Sequence, residues 1–177
     1  RPEELPTYLT SLNASTSNLD QVYSSTAAND VNVLQAAVAT QTNSNVIYLN
    51  ASNLAAIQST AQIQANGTTG GSIYLTAPSI NTQAGSVLQA NGNNGPGGFI
   101  AFSSDQITVA GSIAANGYDG GAITMIANSG DLIIQSSTIQ TNGSNGRGGS
   151  IALSATNNVT IEASSIEATG LNQGGRI

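Results

Sequence analysis

At 177 residues the chain is long enough for one ordinary domain, yet only 7% of it is charged and its formal net charge is −6, where about a quarter of a typical soluble domain is charged. It has no Lys, His, Cys or Trp, and its only cations are Arg1, Arg147 and Arg176. These absences exclude imidazole bases, Ser-His-Asp triads, Lys-activated serines, disulfides and thiolate- or His-bound metals, and they leave no basic patch for nucleic acid.

The chain is still not composed like a disordered one, because 39% of its residues are apolar and Ile, Val and Leu recur along its length. Its Asn, Ser, Thr, Gln and Gly suit strands and turns better than helix interiors. No apolar run approaches the roughly 20 residues needed to cross a bilayer as a helix, so the chain is expected not to span a membrane.

In chain order, residues 1–30 read as a capping or linker segment. They carry Pro2, Pro6, Glu3 and Glu4, and 18–23 is predicted as a short helix or turn. The apolar run 31–38 is the candidate first coil, since Val33-Leu34-Gln35-Ala36 matches Val87-Leu88-Gln89-Ala90. From Ile47 and Leu49 onward, apolar and other residues alternate, as in Ile73/Leu75, Ile100/Phe102, Ile123/Met125 and Ile151/Leu153. Alternation with period two is a strand with one buried face.

A second apolar cluster follows each of these: Leu54, Ile80, Ile107/Val109, Leu132/Ile134 and Val159/Ile161. A third leads into a recurring motif. It reads Ile63-Gln64-Ala65-Asn66-Gly67, Leu88-Gln89-Ala90-Asn91-Gly92, Ile113-Ala114-Ala115-Asn116-Gly117, Ile139-Gln140-Thr141-Asn142-Gly143 and Ile166-Glu167-Ala168-Thr169-Gly170. A Gly pair follows each copy, from Gly70-Gly71 to Gly174-Gly175.

A rhythm of about 25–27 residues with three strands per period leaves no room for a helix. That excludes βαβ units and leucine-rich repeats, and a propeller blade needs about 40 residues. The fold expected is therefore all-β, a single-stranded parallel β-helix over 31–177. A right-handed winding is favoured, because no strict hexapeptide rhythm of the left-handed type is present. The Asn-Gly motif reads as a turn that exploits left-handed backbone angles, with the Asn amides hydrogen-bonded from coil to coil. The chain begins without Met and stops at Ile177 as another strand would start, so it is expected to be a piece of a longer protein.

Chemistry has few candidates. Only carboxylates remain as catalytic groups: Asp105, Asp119, Asp131, Glu162 and Glu167. Asp105 and Asp131 precede the second strand of successive coils and form the one plausible pair, against the plainer reading of two solvated turn residues. Tyr48 and Tyr74 occupy matching outward positions, either as a platform for a sugar ring or as a cross-strand aromatic contact. These four residues are the possible ligand face. No catalytic residue, metal site or cofactor is expected. Sequons stand at Asn13, Asn50, Asn66, Asn142 and Asn158. An ice-binding solenoid would repeat Thr at one outward position, but the aligned residues are Tyr48, Tyr74, Ala101, Thr124 and Ala152.

The strings from Gly71 (Gly-Ser-Ile-Tyr-Leu-Thr-Ala), from Gly149 (Gly-Ser-Ile-Ala-Leu-Ser-Ala) and from Asp131 (Asp-Leu-Ile-Ile-Gln) resemble the filamentous haemagglutinin-type exoproteins. These are large two-partner secretion adhesins, and autotransporter passengers share the repeat style. The resemblance spans about residues 31–177. It implies a long β-helical shaft, extracellular or at the cell surface, exported through an outer-membrane barrel partner. It also implies a structural or adhesive role toward a host or surface glycan or protein receptor. The Asn-Pro-Asn type motif of that family's secretion domain is absent, which places this piece in the downstream shaft. The alternative is a carbohydrate-binding or polysaccharide-degrading β-helix module.

Overall fold

The computed structural model describes residues 21–25, 31–33, 37–40, 46–51, 54–57 and 62–177, with side chains at 46–48 and 62–177. Among them there is no helix. The strands are β1 (Gln21–Ser25), β2 (Val31–Val33), β3 (Ala37–Thr40), β4 (Val46–Ala51), β5 (Leu54–Ile57), β6 (Gln62–Ala65) and β7 (Ser72–Thr82). They continue with β8 (Val87–Gln89), β9 (Phe99–Ala114), β10 (Ala122–Ala127), β11 (Leu132–Gln140), β12 (Ser150–Ala155), β13 (Val159–Glu162) and β14 (Ser165–Glu167). Every pairing between them is parallel, and each strand pairs with the equivalent strand one period away. The chain is a parallel β-helix with three faces.

The register explains the apolar alternation. On the first face Ile47, Ile73, Ile100, Ile123 and Ile151 stand in one column, none more than 3% exposed. On the second, Ile80, Ile107, Leu132 and Val159 align. On the third, Val38, Ile63, Leu88, Ile113, Ile139 and Ile166 align. Ile47, Ile73, Ile100, Ile123 and Ile151 of the first column meet Ile80, Ile107 and Leu132 of the second and Ile63, Leu88, Ile113 and Ile139 of the third in one continuous core. Each fully buried Ile or Leu contributes about 1.5–3 kcal/mol before the cost of ordering the chain. A coil on its own has nothing above or below to cover these residues, so stability is shared between neighbours.

The structure departs from the sequence-based expectations in four places. The faces are not always separate short strands: β9 runs unbroken around all three, and β7 and β11 each turn one corner. The residues matching 87–89 are those of β3, because β3 pairs with β6 and β6 with β8, so the 33–36 string is out of register. Sequence similarity at VLQA misled because any short apolar-polar string fits an alternating strand. Ala55, not Leu54, lies opposite Ile80. Residues 21–23 belong to β1, which pairs in parallel with β4, instead of forming a helix or turn.

The corner between the second and third faces has its own backbone requirement. Gly85, Gly111, Ser136 and Ala163 have positive φ, at 91°, 110°, 48° and 47°. These are the only positive-φ positions among the described residues, and they recur once per coil at this corner. The carbonyls and N–H groups released by the bend are recovered by hydroxyls. Thr82 Oγ1 donates to the Ala110 carbonyl at 2.8 Å and accepts its N–H at 3.1 Å. Ser137 Oγ donates to the Val109 carbonyl, and Ser164 Oγ accepts the Ser137 N–H.

Candidate functional site

Two outward-facing features are candidates for chemistry, the tyrosine pair and the acidic pair, and the Asn-Gly corner repeats beside them. Tyr48 and Tyr74 are register partners, and their rings stack with centroids 5.0 Å apart and planes 11° from parallel. Phe99 extends the group, its ring 5.6 Å from Tyr74 and tilted by 54°. Sequence alignment of outward positions missed Phe99 because it is the diagonal neighbour of Tyr74, whose direct partner is Ala101. Tyr74 is half-buried and Tyr48 is 36% exposed. A sugar platform offers an open ring face. One face of Tyr74 is covered by Tyr48 and Phe99 lies beside it from the next coil, so the cross-strand aromatic contact is present.

Asp105 and Asp131 are diagonal neighbours on adjacent coils, offset by one residue. Leu132 pairs with Ile107, and the Ile107 N–H donates to the Asp131 carbonyl at 3.0 Å. The residue packed against the Asp105 carbonyl is Gly130. Asp131 is turned to the following coil, where Oδ1 accepts the Asn158 N–H and the Asn158 Nδ2–H, both at 3.1 Å. Asp119 does the same job elsewhere: its Oδ1 accepts the Arg147 N–H at 2.8 Å. Three of the five carboxylates, counting Glu167 below, therefore tie one coil to its neighbour.

The Asn-Gly corner is the most regular feature of the surface. The Oδ1 atoms of Asn66, Asn91 and Asn116 accept the backbone N–H of Asn91, Asn116 and Asn142 at 2.8, 2.8 and 2.7 Å. Asn142 Oδ1 accepts the Thr169 N–H at 2.9 Å. The expected coil-to-coil bonding is present, but it runs from side chain to backbone, so each Asn replaces a strand partner where the ladder ends. Asn66, Asn116 and Asn142 also donate Nδ2–H to Gln89, Gln140 and Glu167 of the next coil. Ser165, Asn142 and Gln140 all donate to the Glu167 carboxylate, and these bonds hold its pKa below the ordinary carboxylate value.

The reason for glycine at this corner differs from the expected one. None of its glycines has positive φ. What they need is room. A Cβ on Gly98 would lie 1.9 Å from the Gly71 carbonyl oxygen, one on Gly121 2.1 Å from that of Gly98, and one on Gly149 2.0 Å from that of Gly121. The backbones of successive coils touch here. The loops between Asn-Gly and the Gly pair vary instead, with five residues at 67–71 and 117–121 and seven at 92–98 and 143–149. A shallow groove of about 340 Å³ crosses this glycine column between Arg147 and Arg176.

Among the described residues, no cluster of three or more His, Cys, Asp or Glu could hold a metal ion, and no helix is long and apolar enough to cross a membrane. Asn13 lies outside the described residues, as does the side chain of Asn50. Asn66 and Asn142 have their amides engaged in the ladder, and Asn158, though exposed, donates its amide to Asp131. No protein family, curated protein or solved structure matches the chain.

Proposed function

We propose that the chain is a structural and adhesive shaft segment of a large secreted or surface-exposed bacterial adhesin of the filamentous haemagglutinin type. The observation that carries the reading is that the same contacts repeat from coil to coil among the described residues. Aliphatic columns, the Asn ladder and the glycine corner each serve the neighbouring coil, and the carboxylates that make specific bonds join coils as well. A protein whose polar groups are spent on stacking is built to transmit stiffness and to hold a binding end, or a lateral face, away from a surface. The scarcity of charge and the absence of Cys suit a chain exported unfolded through an outer-membrane barrel partner and wound into a right-handed fibre outside.

The receptor in this reading is a host or surface glycan or protein. The carbohydrate-binding or carbohydrate-cleaving alternative draws less support, because the tyrosine faces are used in mutual stacking and Asp131 is bonded to Asn158.

The test is surface exposure on intact source cells. Antibody against this segment is expected to label unpermeabilised cells, and loss of the outer-membrane partner is expected to abolish labelling. Labelling only after permeabilisation would overturn the proposal. Beads coated with the segment, or a glycan array, would then identify a lateral adhesive face.

A further inference from the structure

Asn-Gly is the dipeptide most prone to spontaneous deamidation, because glycine leaves its own nitrogen unshielded and Asn is intrinsically labile. The Gly nitrogen attacks the Asn side-chain carbonyl carbon, and the bond to Nδ2 breaks. Ammonia departs with the Gly proton, and a cyclic imide closes. Water then opens the imide to Asp or isoAsp, the latter with an extra carbon in the backbone. A chain that places this dipeptide at a corner of coil after coil invites the reaction at every one. The described residues contain six such dipeptides, at Asn66, Asn91, Asn94, Asn116, Asn142 and Asn145.

The six are held in two different ways. In the ladder, both reacting groups are tied to the next coil. The Asn Oδ1 atoms accept backbone N–H groups. The attacking N–H groups of Gly67, Gly92, Gly117 and Gly143 donate to the carbonyls of Asn91, Asn116, Asn142 and Thr169 at 2.8–3.0 Å. Cyclisation there requires the side chain to swing off one bond while the glycine nitrogen abandons another, which means opening the coil. Asn94 and Asn145 lie in the two seven-residue loops. Both are exposed, and no hydrogen bond holds either side-chain amide. Their glycines do donate, Gly95 to the Thr68 carbonyl at 2.7 Å and Gly146 to that of Tyr118 at 2.8 Å. Only one of the two restraints is therefore present.

We propose that the stacked Asn column is a chemical shield as well as a structural tie, and that Asn94 and Asn145 are the sites at which the folded chain deamidates. The shield acts only after winding. An isoAsp formed in the unwound chain would displace the N–H and the acceptor that the next coil needs, so the ladder must assemble before it ages.

The experiment is peptide mapping by mass spectrometry of the whole folded chain after incubation at mildly alkaline pH, beside a sample in denaturant. Asn94 and Asn145 are expected to deamidate about tenfold faster or more than the ladder residues in the folded sample, since the latter react only through local opening. In denaturant the six are expected to react at similar rates. Ladder residues reacting as fast as Asn94 and Asn145 in the folded chain would overturn the shield. Inertness of Asn94 and Asn145 in the folded chain, with reactivity in denaturant, would overturn their assignment as sites.

Discussion

Two corners of the coil use small residues for opposite reasons. At the corner after Asn-Gly, glycine is required because a neighbouring carbonyl stands where Cβ would be, and no glycine there has positive φ. At the corner between the second and third faces, the requirement is a positive φ, and it is met by Gly85 and Gly111 but also by Ser136 and Ala163. A steric requirement on backbone contact has no substitute for glycine. A conformational one costs a non-glycine residue roughly 1–2 kcal/mol, which a well-packed coil absorbs. This is why glycine pairs recur in every copy at one corner and fade at the other.

The sharpest way to break this comparison is Gly98→Ala. Its Cβ would meet backbone atoms of Gly70 and Gly71, so neighbouring coils must part. We expect a loss of about 3 kcal/mol or more, read as a lower denaturation midpoint. Gly174→Ala, whose Cβ would meet nothing within 4 Å, should leave the midpoint unchanged.

Gly111→Ala tests the other corner. It combines φ of 110° with a Cβ position 2.6 Å from Ser86 Oγ and 2.7 Å from the Ser86 carbonyl oxygen. A loss of about 2–3 kcal/mol is expected in the same assay. Because contact and φ act together at Gly111, the share due to φ is read from Ala163→Gly, which relieves a backbone angle without adding a Cβ.

Asn116→Ala removes the acceptor for the Asn142 N–H without touching a glycine. It should cost about 1–2 kcal/mol, with faster hydrogen exchange at the Asn142 amide. Ala163→Gly runs in the opposite direction. Relief of the left-handed backbone should raise stability by about 0.5–1 kcal/mol, less the extra flexibility that glycine gives the unfolded chain.

The smallest effect expected is from pH. Because the folded-state pKa of Glu167 is depressed, its contribution is present above the unfolded carboxylate pKa and is lost as pH falls through the folded value. Acidification should loosen the strand Ser165–Glu167 first, as seen by amide exchange, and Glu167→Gln should remove that pH dependence.

Much of this was legible in the linear chain. Ile73, Ile100, Ile123 and Ile151 could be assigned to one column because period-two alternation within strands and a constant spacing between copies both follow from backbone geometry alone. Tyr48 over Tyr74 followed from the same alignment. Registers in 31–57 were harder. Val33-Leu34-Gln35-Ala36 and Leu54 look as apolar as their true counterparts, and a strand pattern shifted by a few residues still alternates.

Composition and periodicity by themselves determined the fold class, the column residues and the narrow range of available chemistry, since each depends only on residue type and spacing. Tertiary structure alone decided which backbone atoms face each other across coils. That contact turned glycine from a residue of unusual φ into one of close approach, directed Asn Oδ1 toward a backbone N–H, set Phe99 against Tyr74 and turned the Asp131 carboxylate onto Asn158. The physical reason is distance along the chain: these partners lie about one coil apart, and no local rule of sequence specifies the lateral offset between two turns of the same wound strand.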